Sequence, residues 1–488
     1  MTIGNAVVSE GHALKNKNCN MVFASITFLL YFLPIFLLIY HFTPKSYKNA
    51  IILLASILFY SWGGPKFIFA ILFTTFLDFV FVQKMFAAST KGQKKLWLIL
   101  SITMNLGLLF YFKYANFFVD NLNALFGLNI SLKKVFLPIG ISFYTFESIT
   151  YVVDVYRGVH PPLKNFWQYQ TYILLFPKLI AGPIVRFHEI ADQITDRVET
   201  YDKKIHGLML FCIGLAKKVI LANTIGKQAD VVFGMDIQQI DTAAAWIGAL
   251  SYTFQIYFDF SGYSDMAIGL CKIMGFDIPE NFNNPYVSQS VTEFWRRWHI
   301  TLGRWMKNYL YIPLGGNRGS LTRTLINLWI VFLLSGLWHG AGWNFILWGA
   351  YHGLFLVLER FKLLKWYEYL PSLVRVLLVF LIINTGWVFF RNEDIHYALS
   401  IIKKMYVFEN YHNFNYLNND WWFSFILCFV FSFAYLIPFL KQLQIKVYDF
   451  QFENKSKLKV IVASLLLYYI TLSYIAALDF NPFIYFRF

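Results

Sequence analysis

Charge is what this sequence has least of. Only 14% of its 488 residues are Asp, Glu, Lys or Arg, against about 25% in an average globular protein. So few charges cannot cover the water-facing surface of a chain this long, which excludes a soluble fold and, with it, fibrous and disordered classes. Cysteine is scarce too. Cys19, Cys212, Cys271 and Cys428 lie far apart and form no CxxC, so neither a disulfide framework nor a zinc site follows, and no metal ligands are assigned. The polar/apolar alternation of a membrane β-barrel, about 10 residues per strand, is missing: residues 51–62, 96–112 and 328–338 are apolar on mostly consecutive positions. A cleavable leader is not expected either, because the first apolar run, 23–40, is too long for an h-region and lacks a small-residue cleavage site after it.

What is present is apolar bulk: 58% of residues are hydrophobic and 20% aromatic. An all-α, polytopic membrane protein follows, each span needing roughly 20 apolar residues. Apolar segments fall at residues 23–40, 50–62, 67–82, 96–112, 135–155, 172–185, 208–221, 243–255, 325–338, 346–358, 374–390, 422–440 and 460–477. Several are short or broken by Gly and Pro, which a membrane tolerates only where protein or a cavity covers the freed backbone. The expectation is therefore roughly 11 full spans with re-entrant helices in the middle. Residues 1–20 are polar and unlike the rest, an over-called start or a floppy extension, and 21–488 read as one membrane domain.

Lys plus Arg is 42 and Asp plus Glu 27, a formal charge of +15. In a membrane protein that excess belongs to cytoplasmic loops. No basic stripe sits on a soluble domain, so nucleic acid is not a partner. Lys84, Lys91, Lys94 and Lys95 after the third segment, and Lys441, Lys446, Lys455, Lys457 and Lys459 before the last, put those connections inside and the N-terminus outside. No internal repeat is visible, so the paired broken helices of a transporter are unsupported.

Polar groups inside an apolar chain are costly and mark sites. They concentrate between residues 257 and 352, in Tyr257-Phe-Asp-Phe-Ser-Gly-Tyr-Ser-Asp265, Asn281-Phe-Asn-Asn-Pro-Tyr286, Phe294-Trp-Arg-Arg-Trp-His299, Leu314-Gly-Gly-Asn-Arg-Gly319 and Gly336-Leu-Trp-His-Gly-Ala341. His339 ends a run of about fourteen helical residues that rises only about 21 Å. That is short of the hydrocarbon core, so the imidazole is expected inside the membrane, neutral and able to accept a proton; the other reading is a histidine satisfied by a neighbouring carbonyl. His299 lies among Arg296, Arg297, Arg304 and Lys307, a set that suits a phosphorylated ligand from the cytosol or, alternatively, a positive-inside loop with snorkelling side chains. Trp338, beside His339, and Asn317 and Arg318, in a Gly-rich turn that is a weak anion nest and no Walker A sequence, are candidate supporting residues. Asp259 and Asp265 do not share a helical face well; Asp259 is expected to pair with an arginine such as Arg296 or to orient a histidine. His352 is read as structural.

Across these motifs the sequence resembles the membrane-bound O-acyltransferase family, and most closely its bacterial alginate O-acetyltransferase branch. The likeness runs from Met21-Val-Phe through Tyr111-Phe-Lys-Tyr-Ala-Asn116, Leu137-Pro-Ile-Gly-Ile-Ser-Phe-Tyr-Thr-Phe146, Ala181-Gly-Pro183, residues 294–299 and Trp338-His-Gly340 to Phe483-Ile-Tyr-Phe-Arg-Phe488. It implies a ring of membrane helices around a thin, funnel-shaped centre, with His339 catalytic and His299 its companion. It implies acetyl-CoA as donor substrate, no tightly bound cofactor, lipid surroundings in the bacterial inner membrane, and an extracytoplasmic partner or polysaccharide as acceptor. Related branches acetylate peptidoglycan or transfer D-alanine to teichoic acid. A transporter and a non-catalytic export scaffold remain as readings from other classes.

Overall fold

The structure is a computed structural model that describes residues 22–133, 135, 137–408, 417–477, 483 and 484. Among the described residues every regular element is helical. Seven helices among them are long and apolar enough to cross a membrane: Phe67–Ala87, Lys91–Phe126, Tyr201–Phe233, Leu321–His339, Ser372–Arg391, Asn419–Leu436 and Asn454–Ala477. A shorter apolar helix, Thr27–Phe42, precedes them.

The long helices fall into an inner and an outer set. Protein buries 67% of the apolar window of Tyr201–Phe233 and 61% of that of Ser372–Arg391, but only 17% in Lys91–Phe126 and Asn454–Ala477. The outer helices therefore present their apolar sides outward, as lipid-facing helices do, and the inner ones wrap a centre. That centre is Thr242–Ile273, a 32-residue helix buried along nearly all of its length from Ala244 to Cys271. Its sequence is too polar to register as a span because it carries Gln255, Asp259, Ser261, Ser264 and Asp265 buried among protein, with Asp259, Ser264 and Asp265 paired to protein groups. The chain predicted only residues 243–255 of it as apolar.

Tyr201–Phe233 crosses this central helix at a glycine contact. A Cβ on Gly214 would lie 2.4 Å from the Gly262 carbonyl oxygen, and one on Gly262 2.6 Å from the Gly214 carbonyl oxygen. Only glycine on both sides lets the backbones approach this closely, the small-residue packing typical of helices in membranes.

Two expected segments are corrected. Residues 172–185 form no continuous helix: Phe166–Leu174 ends at Leu175, a four-residue helix Phe176–Leu179 follows with Pro177 in its first turn, and a bent, irregular stretch comes next. The break carries Lys178, which is fully buried and pairs with Glu147 at 2.5 Å, so its charge is met by protein rather than lipid. Residues 422–440 divide into Asn419–Phe433, one 3-10 turn and a separate helix, Pro438–Tyr448, because Pro438 has no N–H to continue the first ladder. The polar extension 1–20 lies outside the described residues, as do the last four residues of the closing motif.

Candidate active site

Leu321–His339 and Trp343–Leu358 form an antiparallel hairpin. Ser320 opens the first helix, its Oγ accepting from Arg323 N at 3.3 Å. Gly340 closes it with extended backbone. A Cβ on Gly340 would sit 2.0 Å from the Phe345 ring, so the turn that holds His339 needs a glycine there. His339 is 6% exposed. Its ring packs against Trp348 and Phe390 at centroid distances of 5.1 and 5.2 Å, and against Trp338 at 4.9 Å.

This burial has a different cause from the one the sequence suggested. The helix is 19 residues long, about 28 Å at 1.5 Å per residue, and so is not short. Aromatic packing covers the imidazole, and a second segment caps the helix end. The last carbonyls of a helix lack intrahelical partners; here Tyr114 donates its hydroxyl to the Leu337 carbonyl at 2.8 Å, and Lys113 Nζ donates to the carbonyls of Trp338 and of His339, the latter at 3.0 Å. Both residues lie on a π-helical turn, Phe110–Tyr114, within the span Lys91–Phe126.

His299 arrives from elsewhere. Val291–Arg297 begins at Ser290, whose Oγ accepts from Glu293 N, and the buried Glu359 carboxylate accepts from the backbone N–H groups of Val291 and Thr292 at 2.6 and 2.8 Å, a favourable charge for a helix start. His299 then turns the chain with φ of 44° into Ile300–Trp305. A histidine in the left-handed region is uncommon and strained. Asn281 Oδ1 holds it, at 3.1 Å from His299 Nδ1, while also accepting from Thr301 N at 3.3 Å and Thr301 Oγ1 at 2.9 Å. His299 is 2% exposed. Its ring meets Phe260 at 4.7 Å and Trp338 at 6.3 Å, so the two histidines flank one indole.

Trp338 ends a stack of rings. Phe146 lies over it at 5.2 Å with an interplanar angle of 18°, and Trp305 lies over Phe146 at 3.7 Å and 3°. Trp305 Nε1 fixes the stack by donating to the Phe146 carbonyl at 3.1 Å. Beyond Trp305 the chain exposes Arg304 and Lys307. On the other side of His339, Phe390 and Phe345 line a cavity of about 170 Å³ with Tyr252, Asn344, Arg391, Glu393 and Ile484.

The remaining candidates separate. Arg296 is exposed and has no ion pair among the described residues, and Arg304 stands 3.9 Å from Glu189 while half exposed. Arg297 is an internal tie, donating to Glu293 at 2.8 and 2.9 Å and to the Asn283 carbonyl at 3.2 Å, with its guanidinium over the Tyr435 ring. Asn317 and Arg318 do not support His339: they are exposed in the turn before Leu321, at the opposite end of the 19-residue helix. Asp259 pairs with neither Arg296 nor a histidine. Lys218 forms a buried ion pair with it, and Ile484 N donates to it at 2.7 Å, which anchors the described end of the closing motif beside Phe260. Asp265 likewise takes Lys217 at 2.7 Å and the Tyr448 hydroxyl at 3.0 Å. His352 is fully buried between Trp295 and Trp348, with its Nε2 2.5 Å from where a Cβ on Gly386 would stand.

Lys113, Tyr114 and Asn281 carry structure that reading by residue type missed. The signal was present, a lysine inside an apolar run and an asparagine-rich motif before the His299 segment, but neither names its partner.

Comparison with known proteins shows the family. Residues 67–400 match the profile of the membrane-bound O-acyltransferase family. The probable alginate O-acetylase of Pseudomonas syringae pv. tomato is 46% identical over 396 residues, covering 80% of this chain and 76% of that protein. A peptidoglycan O-acetyltransferase of Helicobacter pylori is 37% identical over 421 residues, covering 79% and 80%. The teichoic acid D-alanyltransferase of Bacillus subtilis is 28% identical over 285 residues, covering 53% and 70%. A multi-pass helical chain with this likeness over most of its length belongs to the membrane-bound O-acyltransferase family and is an O-acyltransferase.

Proposed function

We propose that this chain moves an acetyl group from cytosolic acetyl-CoA across the bacterial inner membrane for O-acetylation of an extracytoplasmic, alginate-like polysaccharide, together with a partner protein. One observation carries the reading: two buried histidines flank Trp338, at the inner end of a ring stack whose outer end meets exposed cations. Arg296, Arg304 and Lys307 hold the donor's phosphates at the cytosolic face, and the thioester reaches along the Trp305–Phe146–Trp338 edge. The acceptor hydroxyl enters through the cavity beside Phe390. Its oxygen attacks the thioester carbonyl as His339 takes its proton, the C–S bond breaks, and the same proton passes from His339 to the departing thiolate; His299 is the companion group.

The same reading makes residues 21–488 one membrane domain with the N-terminus outside. The helices Lys48–Gly63, Thr242–Ile273 and Trp343–Leu358, with Thr27–Phe42 and the seven long apolar ones, bring the spans to roughly 11. A peptidoglycan acceptor is the second reading, supported by the 37% identity to the Helicobacter protein. The test is transfer of label from acetyl-CoA by membranes containing the protein or its His339→Ala variant. Label transfer by the wild type alone supports the reading; equal transfer by both removes His339 from the chemistry, and none by either removes acetyl-CoA as donor.

A further inference from the structure

Asn281 lies 18 residues before His299 in sequence and is 1% exposed. Which of its amide atoms faces the imidazole is decided by its other neighbours. Thr301 N, at 3.3 Å, can only donate, so the atom it meets is the carbonyl oxygen. The amide nitrogen at the opposite end donates to Ser264 Oγ at 3.2 Å, which is consistent with that orientation. The oxygen has no proton to give, so His299 Nδ1, at 3.1 Å, must carry one. A neutral imidazole protonated at Nδ1 has a bare lone pair at Nε2. Nε2 is buried and has no hydrogen-bond partner among the described residues. Buried polar atoms without partners are rare enough in native proteins that each calls for a ligand, a water or a chemical role.

We propose that Asn281 is a positioning residue for acyl transfer: it locks His299 in the Nδ1–H tautomer and in its left-handed backbone turn, so that Nε2 stands as a fixed acceptor beside Trp338. The assignment rests on the acyl-transfer reading for its catalytic consequence, but the tautomer is a property of the resting protein. Thr301 completes the lock. Its hydroxyl donates to Asn281 Oδ1 and accepts from Ile184 N at 2.9 Å, which ties the chain after Ala181-Gly-Pro183 to the same oxygen.

Two readouts test this in the full-length protein in detergent. With nitrogen-15-labelled histidine, the resonances lost in His299→Gln should report Nδ1 protonated and Nε2 bare in the wild type. In acetyl-CoA turnover, Asn281→Leu, which removes the acceptor at similar volume, should lower kcat by about 10²-fold or more while the KM for acetyl-CoA stays within about twofold, a split that loss of fold does not produce. Asn281→Asp keeps the accepting oxygen and should recover kcat to within about tenfold of wild type. A proton on Nε2 in the wild type, an Asn281→Leu variant retaining more than about half of kcat, or an Asn281→Asp variant no better than Asn281→Leu would each overturn the assignment. Should Asn281→Leu fail to fold, the wild-type tautomer and Asn281→Asp decide it. Wild-type protein that turns over no acetyl-CoA overturns the acyl-transfer reading instead, and the tautomer still decides whether Asn281 sets His299.

Discussion

Lys113→Met is the sharpest probe of how His339 is held. Met keeps the length of the side chain and removes its donor, so the carbonyls of Trp338 and His339, both capped by Nζ, lose that donor at a helix end whose last two residues are buried. Taking a donor away from a buried acceptor costs about 1–3 kcal/mol, hence up to about 6 kcal/mol for the two. Tyr114 still holds the Leu337 carbonyl at 2.8 Å, so the helix end is loosened rather than released. A catalytic group displaced by about 1 Å can cost about 10²-fold in rate. The expected outcome is a lowered melting temperature in detergent and kcat reduced by at least about tenfold, with the KM for acetyl-CoA nearly unchanged. A Lys113→Met protein with wild-type melting and more than about half of wild-type kcat would show that the cap does not position the imidazole.

His339→Ala is expected to lower transfer by about 10²–10⁴-fold with normal membrane insertion, and His299→Ala to be impaired less; single-turnover rates of the two variants check the order, and reversed severity would exchange their roles. Replacing Arg296, Arg304 and Lys307 together by Gln should raise the KM for acetyl-CoA and weaken inhibition by free coenzyme A. Arg297→Gln should instead lower thermal stability, because its guanidinium is spent on Glu293 and the Asn283 carbonyl; an unchanged KM in the triple variant reduces those cations to topology signals. Purified protein in proteoliposomes loaded with acetyl-CoA should turn over donor slowly without acetylating external polysaccharide, and efficient polymer acetylation by the single chain would remove the need for a partner.

The helical class and the long lipid-facing spans were legible because burial in lipid demands consecutive apolar residues, as in Phe67–Ala87 and Asn454–Ala477. The central helix was half legible. Protein covers it, so its sequence answers to protein neighbours, and Asp259 and Asp265 sit in it paired with Lys218 and Lys217. The failure at residues 172–185 has the same origin: apolar composition marks burial, but whether protein or lipid does the burying is not written locally, and Leu175 breaks a run that hydropathy alone reads as continuous.

The site shows the same limit at the scale of single residues. His299, His339 and Trp338 could be picked out because polar and aromatic residues crowded into an apolar chain are conspicuous, and the structure does bring the three together. Their supports could not be, because each acts from another stretch: Lys113 reaches the His339 carbonyl across 226 positions and Asn281 the His299 ring across 18. Cations were the most misleading class, since a positive charge in a membrane protein serves topology, an internal ion pair or a ligand with the same residue type. Arg296 and Arg297 are adjacent in sequence, yet one is exposed without an ion pair among the described residues and the other is consumed by Glu293. Helical spacing does not separate them, because Glu293 lies four residues before Arg297 and three before Arg296, and both spacings place two side chains on one face. Either spacing permits a pair, so the choice falls to the tertiary neighbours of Arg297, the Asn283 carbonyl and the Tyr435 ring, which hold the guanidinium on that side. The proposed donor-binding role is therefore tested on the cations that tertiary structure leaves exposed, Arg296, Arg304 and Lys307, with Arg297 kept apart from them.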